Sequence, residues 1–380
     1  MDAILSIVIP VHNRQDYLPR LFRDLEAAMA EVVARIVLVD NGSTDGSLAL
    51  CRAWQHDSRF AELIEVLEEP TPGANAARNR GLAAVTTPYV YFFDSDDRFD
   101  AHFLDAVVPL LSEQREGRGE SGTAGKKGAG NESGWAGKKG AGNESGLAGK
   151  EASEVDTAAA ALIVPTMIQI GRERRKRPYR EGADAAFHIA SGTLSTQAMV
   201  LRTDFLRALG GWNADLSVWQ DWELGLRVLL NARRIIWHHA RAYHQILIHP
   251  DSITGDSVSQ NWQGRLRSLQ TALHYIYTRA GVHEDAAEDD EQSVLDSGTA
   301  GMPISEATAQ ELSLLDSGTR RLIELICRRA AIMAGHLHRE GHHAEAGTVM
   351  SSMPARSLMS RFLCLWTRLG LPAAWRLSLM

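Results

Sequence analysis

The chain has 380 residues, 44% of them hydrophobic, and a formal net charge of -7. That length holds a catalytic domain of about 250 residues plus appendages, and the acidic balance argues against a general nucleic-acid binder. Its 3 cysteines, Cys51, Cys327 and Cys364, form neither a CxxC pair nor an even framework, which argues against a disulfide scaffold or a thiolate zinc site and fits a reducing cytoplasm.

In chain order, Ile4-Leu5-Ser6-Ile7-Val8-Ile9-Pro10 is a short β-branched run that predicts a strand. Asn13 to Asp16 then open a helix with Leu18, Leu21, Phe22 and Leu25 on one face. Asp2 stands in place of a basic leader segment, and no window supplies the roughly 18 apolar residues of a spanning helix, so a soluble or peripheral protein is expected. A second strand, Arg35 to Val39, ends in Asp40-Asn41-Gly42-Ser43-Thr44-Asp45, where Gly42 permits a tight turn and Ser43, Thr44 or Asp45 can cap a helix. A third, near Leu63 to Leu67, leads to the small-residue helix start Pro72 to Gly81, which carries Arg78 and Arg80.

A fourth strand, Tyr89 to Phe93, stops abruptly in Asp94-Ser95-Asp96-Asp97. Strands alternating with helices predict an α/β protein with a mainly parallel sheet, and the loops at the carboxyl ends of its strands should share one cleft. Carboxylates crowded this closely repel one another unless a cation or donor groups compensate, and oxygen-only ligation suits Mg²⁺ or Mn²⁺. The same run also reads as a polar turn in which Asp97 or Asp100 caps a helix beginning near Ala101.

Residues 113–156 are rich in Gly, Ala, Lys and Glu, and AGKKGAGNESG occurs at Ala124 and again at Ala136, which predicts a disordered insert. Ala160 to Ile170 then reads as a strand. The basic run Arg172, Arg174, Arg175, Lys176, Arg177 and Arg180 follows as a hairpin tip or loop, either a solvated turn or a patch for an anionic lipid or membrane. Further on, Asp221 and Glu223 fall in the first turn of an amphipathic helix, where the dipole favours acids. Helical periodicity through Trp262, Leu266, Leu269 and Leu273, and again through Leu322, Leu325, Ile326 and Met333, predicts an α-helical appendage. The acidic stretch 283–319 between them, with LDSGT at Leu295 and Leu315, reads as a linker. His336, His338, His342 and His343 read as solvated surface. Ser357 to Met380, where Trp366 and Trp375 alternate with Arg361, Arg368 and Arg376, suits either a membrane interface or a helical tail packed on the protein.

The ordered motifs IVIPVHNR, VDNGSTDGS, PGANAARNRGL, FFDSDD, GGWN and QDWELGLRVL resemble the family-2 glycosyltransferases over roughly Ile4 to Leu110 and Thr193 to Thr254. The resemblance implies a GT-A fold and inverting transfer of a sugar from a nucleoside-diphosphate donor to a hydroxyl of a glycan or lipid-linked acceptor. The setting it implies is cell-surface polysaccharide assembly at the inner face of a membrane. The expected division is a nucleotide-sugar half at 1–112, the insert at 113–156, an acceptor and base half at 157–255, and the helical appendage at 256–380.

By the same resemblance, Pro10, Val11 and His12 line the nucleotide pocket, Asp40 and Asn41 meet the base or ribose, and Arg78 supports base or phosphates. Asp94, Ser95 and Asp96 face the donor phosphates, and Asp94 and Asp96, with His249, hold the metal. Asp97 binds ribose or caps a helix. Asp221 is the general base, with Glu223 as its runner-up. Trp212 and Trp222 offer flat faces to a sugar or belong to the core. Three departures stand out: Asn41 replaces a second Asp, Gln220 replaces a Glu, and Tyr243-His244-Gln245 replaces a Tyr-Arg approach to the late histidine. A catalytically silent sugar-nucleotide-binding scaffold and a sugar-1-phosphate nucleotidylyltransferase are the alternatives.

Overall fold

The computed structural model describes residues 3–116, 158–239, 241–248, 258–281, 315–354, 364, 365 and 367–369. The insert from residue 117 on, the first LDSGT and His249 lie outside the described residues, whereas 113–116, expected in the insert, end the helix Phe103–Glu116.

The N-terminal half alternates strands and helices: β1 (Leu5–Val11), α1 (Leu18–Ala28), β2 (Arg35–Asp40), α2 (Ser47–Asp57), β3 (Ile64–Glu68), α3 (Ala74–Ala84), β4 (Tyr89–Phe92) and α4 (Phe103–Glu116). The second half runs β5 (Ala161–Ile163), β6 (Met167–Ile170), β7 (Glu173–Lys176), α5 (Ala185–Ser191), β8 (Met199–Arg202), α6 (Thr203–Ala208), α7 (Gln220–Asn231), β9 (Ile235–Trp237) and β10 (Gln245–Ile248). Three helices follow: α8 (Trp262–Arg279), α9 (Ser317–Arg339) and α10 (His343–Ser351).

Seven strands form one sheet in the order β3-β2-β1-β4-β8-β5-β9. β1 to β4 run parallel, and β8 runs against both its neighbours. Buried on both faces, β1 and β4 are almost wholly apolar, as central parallel strands must be. The one hydroxyl inside β1, Ser6, meets Thr87 at 2.8 Å. Helix α3 lies very close to this sheet: a Cβ on Gly81 would stand 2.3 Å from Val8 Cγ1, so glycine is what allows the approach.

The expected strand Ala160 to Ile170 is two strands. Pro165 lies between them and has no N–H to give to a ladder, and the chain leaves the large sheet there to begin a second one, ordered β10-β6-β7. The basic run begins at Arg172 in the β6–β7 turn and continues on and just after β7, the outer strand of that hairpin. The linker reading also needs correcting at its end. Asp316 of the second LDSGT accepts hydrogen bonds from the N–H groups of Gly318 and Thr319 at 2.8 and 3.0 Å and so caps α9, which already begins at Ser317.

The appendage is continuous with the second half. Trp222 and Leu226 of α7, Leu269 and Leu273 of α8, and Ile326 and Ala330 of α9 belong to one apolar cluster. The short described turn near the C-terminus packs on α9, with Thr367 buried against Gly335 and with Leu365 and Leu369 exposed. Among the described residues no helix is long and apolar enough to cross a membrane.

Candidate active site

The carboxyl ends of β1, β2 and β4 meet at one edge of the large sheet, and the loops that follow build the site. After β1, His12 is exposed and its Nδ1 lies 2.8 Å from the Asn41 carbonyl. Pro10 is part-buried, whereas the Val11 side chain is fully buried and its carbonyl accepts from the Asn41 N–H, so Val11 supports the pocket from behind. At the end of β2, Asp40 accepts from the Ser43 N–H at 3.1 Å through Oδ2. Its Oδ1 is buried without a hydrogen-bond partner, an acceptor that a base or ribose donor would satisfy.

The Asn41 side chain is committed to neighbouring backbone. Its amide donates to the carbonyls of Glu69 and Thr71 at 2.8 and 2.7 Å, and its Oδ1 accepts from the Gly73 N–H at 2.7 Å. An aspartate has no hydrogens for those two carbonyls, which explains the amide here. Asn41 fastens the β3–α3 loop.

The Asp94-Ser95-Asp96-Asp97 run follows β4. Asp94 Oδ1 receives Arg78 Nη2 at 2.8 Å, and its Oδ2 receives Gln197 Nε2 at 3.0 Å. Asp96 pairs with Arg14 at 3.1 Å, while Ser95 between them is buried. Arg20 donates to the backbone carbonyls of Asp96 and Asp97. Burial raises the Asp94 carboxyl above the ordinary range, the charges of Asp96 and Asp221 add to this, and Arg78 opposes it. Asp97 is pushed well up by burial and by the two neighbouring acids.

Neither expected role of Asp97 matches its contacts. Its Oδ1 accepts from the Leu247 N–H at 2.7 Å and its Oδ2 from Gln197 at 2.5 Å, so it ties the loop to β10. Asp100 is the residue that bonds into the following turn, accepting from the His102 N–H at 2.9 Å.

Arg78 joins the two halves of the site. Besides Asp94, it reaches Asn75 Oδ1 at 2.9 Å and Gln220 Oε1 at 3.1 Å, and it lies over the Trp212 ring at 4.6 Å. Gln220 in turn donates to the carbonyls of Leu216 and Ser217, both at 3.0 Å. A glutamate could pair with Arg78 but would turn its oxygens on those carbonyls, so the glutamine fits this turn.

Asp221 is part-buried in the first turn of α7, and its Oδ1 accepts from the Trp222 N–H at 2.8 Å. Glu223 is removed from contention as a base. It is buried and held by Arg227 through two bonds of 2.7 and 2.8 Å. Trp212 and Trp222 are 2% and 3% exposed, which makes them core residues and not open faces for a sugar.

Gln197 is the main site residue that the sequence did not reveal. It sits in the short turn Thr196–Ala198 before β8, 1% exposed, and places one amide group between two acids a hundred residues away. No local pattern marks it. Arg14, by contrast, lies inside the first motif of the family resemblance.

Residues 6–118 match the model of glycosyl transferase family 2. Over that stretch the chain is similar to the family-2 glycosyltransferases. Within it, the chain is similar to the glycosyltransferase GlyA of Streptococcus pneumoniae, 29% identical over 113 residues, which cover 30% of this chain and 16% of that protein. The minor teichoic acid biosynthesis protein GgaA of Bacillus subtilis is 29% identical over 117 residues, 29% of this chain and 25% of that one. An undecaprenyl-phosphate 4-deoxy-4-formamido-L-arabinose transferase of Sodalis glossinidius is 37% identical over 111 residues, covering 29% and 34%. The matched region therefore spans about a sixth to a third of these relatives. The crystal structure of S. aureus TarS 1-349 in complex with UDP-GlcNAc superposes with a TM-score of 0.52 at 16% identity, covering 92% of this chain and 90% of that one. That likeness shows a shared fold, the GT-A arrangement with a C-terminal helical region.

The matched stretch includes Pro10 to His12, Asp40, Asn41, Arg78 and Asp94 to Asp97, whereas Gln197, Gln220 and Asp221 lie beyond it. Among the described residues no cluster of three or more ligating side chains occurs. Asp94 and Asp96 are part-exposed carboxylates whose oxygen-only chemistry suits a hard divalent cation, while in this structure Arg78, Gln197 and Arg14 supply their compensation.

Proposed function

We propose that the protein is an inverting glycosyltransferase that moves a sugar from a nucleoside-diphosphate donor to a hydroxyl of a growing glycan or lipid-linked acceptor. In this reading the buried Asp40 Oδ1 receives a donor group of the base or ribose. Asp94 and Asp96 hold Mg²⁺ or Mn²⁺, which when bound neutralises charge on the departing diphosphate. Arg78 fixes the Asp94 carboxylate and, through Gln220, the start of α7. Asp221 removes the acceptor proton as the hydroxyl attacks the anomeric carbon from the face opposite the leaving group.

One observation carries the assignment of the base. Of the two acids in the first turn of α7, Glu223 is neutralised by Arg227, while Asp221 accepts from the adjacent Trp222 N–H and its charge is felt at Asp94. The test is Asp221→Asn with UDP-GlcNAc as the first donor, because that sugar nucleotide is bound in TarS. Turnover should fall by about 10²–10⁴-fold with donor affinity within a few fold. Loss of donor binding would give Asp221 a donor-side or structural role.

The setting we propose is cell-envelope polysaccharide assembly, which the named roles of GgaA and the undecaprenyl-phosphate transferase support. Peripheral contact with an anionic membrane through 357–380 belongs to the same proposal, supported by exposed Leu365 and Leu369 beside Arg368. Truncation after residue 356 should lower partitioning onto anionic liposomes, and unchanged partitioning would reject the contact.

A further inference from the structure

The turn that delivers Asp221 is strained. Trp219, the residue at the N-terminus of α7, adopts φ 53° and ψ 29°, the left-handed region that a bulky side chain avoids. Its carbonyl accepts from the Glu223 N–H at 3.0 Å and so starts the helical ladder, which means its conformation sets the direction of the first turn and of Asp221 within it. Such a conformation persists only where the surroundings over-determine it.

What holds it comes from the appendage. Arg329 of α9 lies over the Trp219 ring at 4.5 Å and the Trp222 ring at 5.2 Å, bracketing Asp221 in sequence. The guanidinium is itself anchored, because Nη1 donates to the Ile189 carbonyl at 2.8 Å and to the Ala190 carbonyl at 3.4 Å at the end of α5. Its Nε is buried without a hydrogen-bond partner. An Arg placed this way gives up hydration for two aromatic faces, two carbonyls and the field of a nearby acid. Burial brings the guanidinium down to about 10, and the Asp221 charge works against that fall.

We infer that Arg329, from the C-terminal appendage, is a positioning residue for the catalytic base: by clamping Trp219 and Trp222 it holds the strained first turn of α7 and the Asp221 carboxylate in place. The inference rests on Asp221 being the base. It makes the appendage part of the active site, with a chain segment outside the family-matched stretch completing the catalytic geometry. Arg265 of α8 lies 6.0 Å from the same Trp219 ring and adds a second cation from the appendage.

The test uses the full-length protein with Arg329→Met and Arg329→Lys. Hydrogen exchange across 217–224 should rise at least tenfold in Arg329→Met while exchange across 320–339 stays as in wild type, and Arg329→Lys should restore part of the protection. UDP release from UDP-GlcNAc should show a kcat loss of tenfold or more in Arg329→Met, with KM for the donor within about twofold. Unchanged exchange in 217–224 would overturn the inference, as would exchange rising throughout α9, which would mark a merely structural side chain. Asp221→Asn run in parallel separates the two claims: if it retains wild-type UDP release, the base assignment fails, whereas full loss there beside wild-type exchange and kcat in Arg329→Met sinks the clamp alone.

Discussion

The donor half and the base half of the site are built on different principles. In the donor half, each functional loop follows directly from the strand before it, and the rigid parallel sheet β3-β2-β1-β4 sets the geometry. In the base half, α7 is placed by side chains remote in sequence, Arg78 from α3, His188 from α5 and Arg329 from α9, and is stiffened from within by Arg227 one turn on. A site on strand ends is robust and legible, whereas a site on a helix start depends on its packing partners.

The sharpest way to break this contrast is at the buried pair Glu223–Arg227. Arg227→Met leaves Glu223 buried without its cation and should cost about 3–5 kcal/mol, read as a large fall in the denaturation midpoint. A loss below 1 kcal/mol would mean that the pair is not what fixes α7.

A second test is pH. His188 donates from Nε2 to the Trp222 carbonyl at 2.8 Å and accepts from the Leu194 N–H at Nδ1, so it must be neutral, and burial lowers its pKa to about 4. The unfolded chain protonates first, so stability is complete above about 6.5 and is lost as pH falls towards 4, by roughly 3 kcal/mol. His244, in its cage of Phe93, Phe99, Phe103 and Tyr91, is lowered to about 3 and acts in the same direction. The raised Asp94 and Asp97 carboxyls oppose both, since they gain relative stability as pH falls. Comparing wild type with His188→Gln between pH 7 and 4 isolates the base half, and parallel curves would refute a neutral structural role for this imidazole.

Two glycines compare the halves more gently. Gly81→Ala pushes a Cβ onto Val8 of the donor sheet, and Gly225→Ala sets one 2.8 Å from both His188 Nε2 and Leu194 Cβ. Each should cost about 1–3 kcal/mol by overpacking, but only Gly225→Ala should also reduce turnover. Equal effects on turnover would erase the distinction. A change of similar size but more local effect, Asn41→Asp, removes the two donors that fasten the β3–α3 loop and should cost about 1–3 kcal/mol, seen as faster local hydrogen exchange at 69–73.

These differences account for what could be read in advance. The strands through Phe92, the loop at Asp40 and the acids at Asp94 and Asp96 are local events, so period and punctuation reveal them. Asp221 stands in a local motif too, which is what marks it as the candidate base. Asn41 and Gln220 were noticed as departures, but their reason lies in carbonyls of other loops that a sequence cannot place. Pro165 was a visible signal against one long strand from Ala160 to Ile170. Gln197 and Arg329 gave no signal, because each acts only after residues about a hundred positions away have been folded against it.

The most direct measurement is isothermal calorimetry of UDP-, GDP-, dTDP- and CMP-sugars, with and without Mn²⁺, on wild type, Asp96→Ala and Asp221→Asn. The account predicts that one donor binds in a metal-dependent way, that Asp96→Ala abolishes this binding, and that Asp221→Asn leaves it within a few fold. Donor binding that is indifferent to Asp96→Ala, or no binding to any donor in wild type, would contradict it.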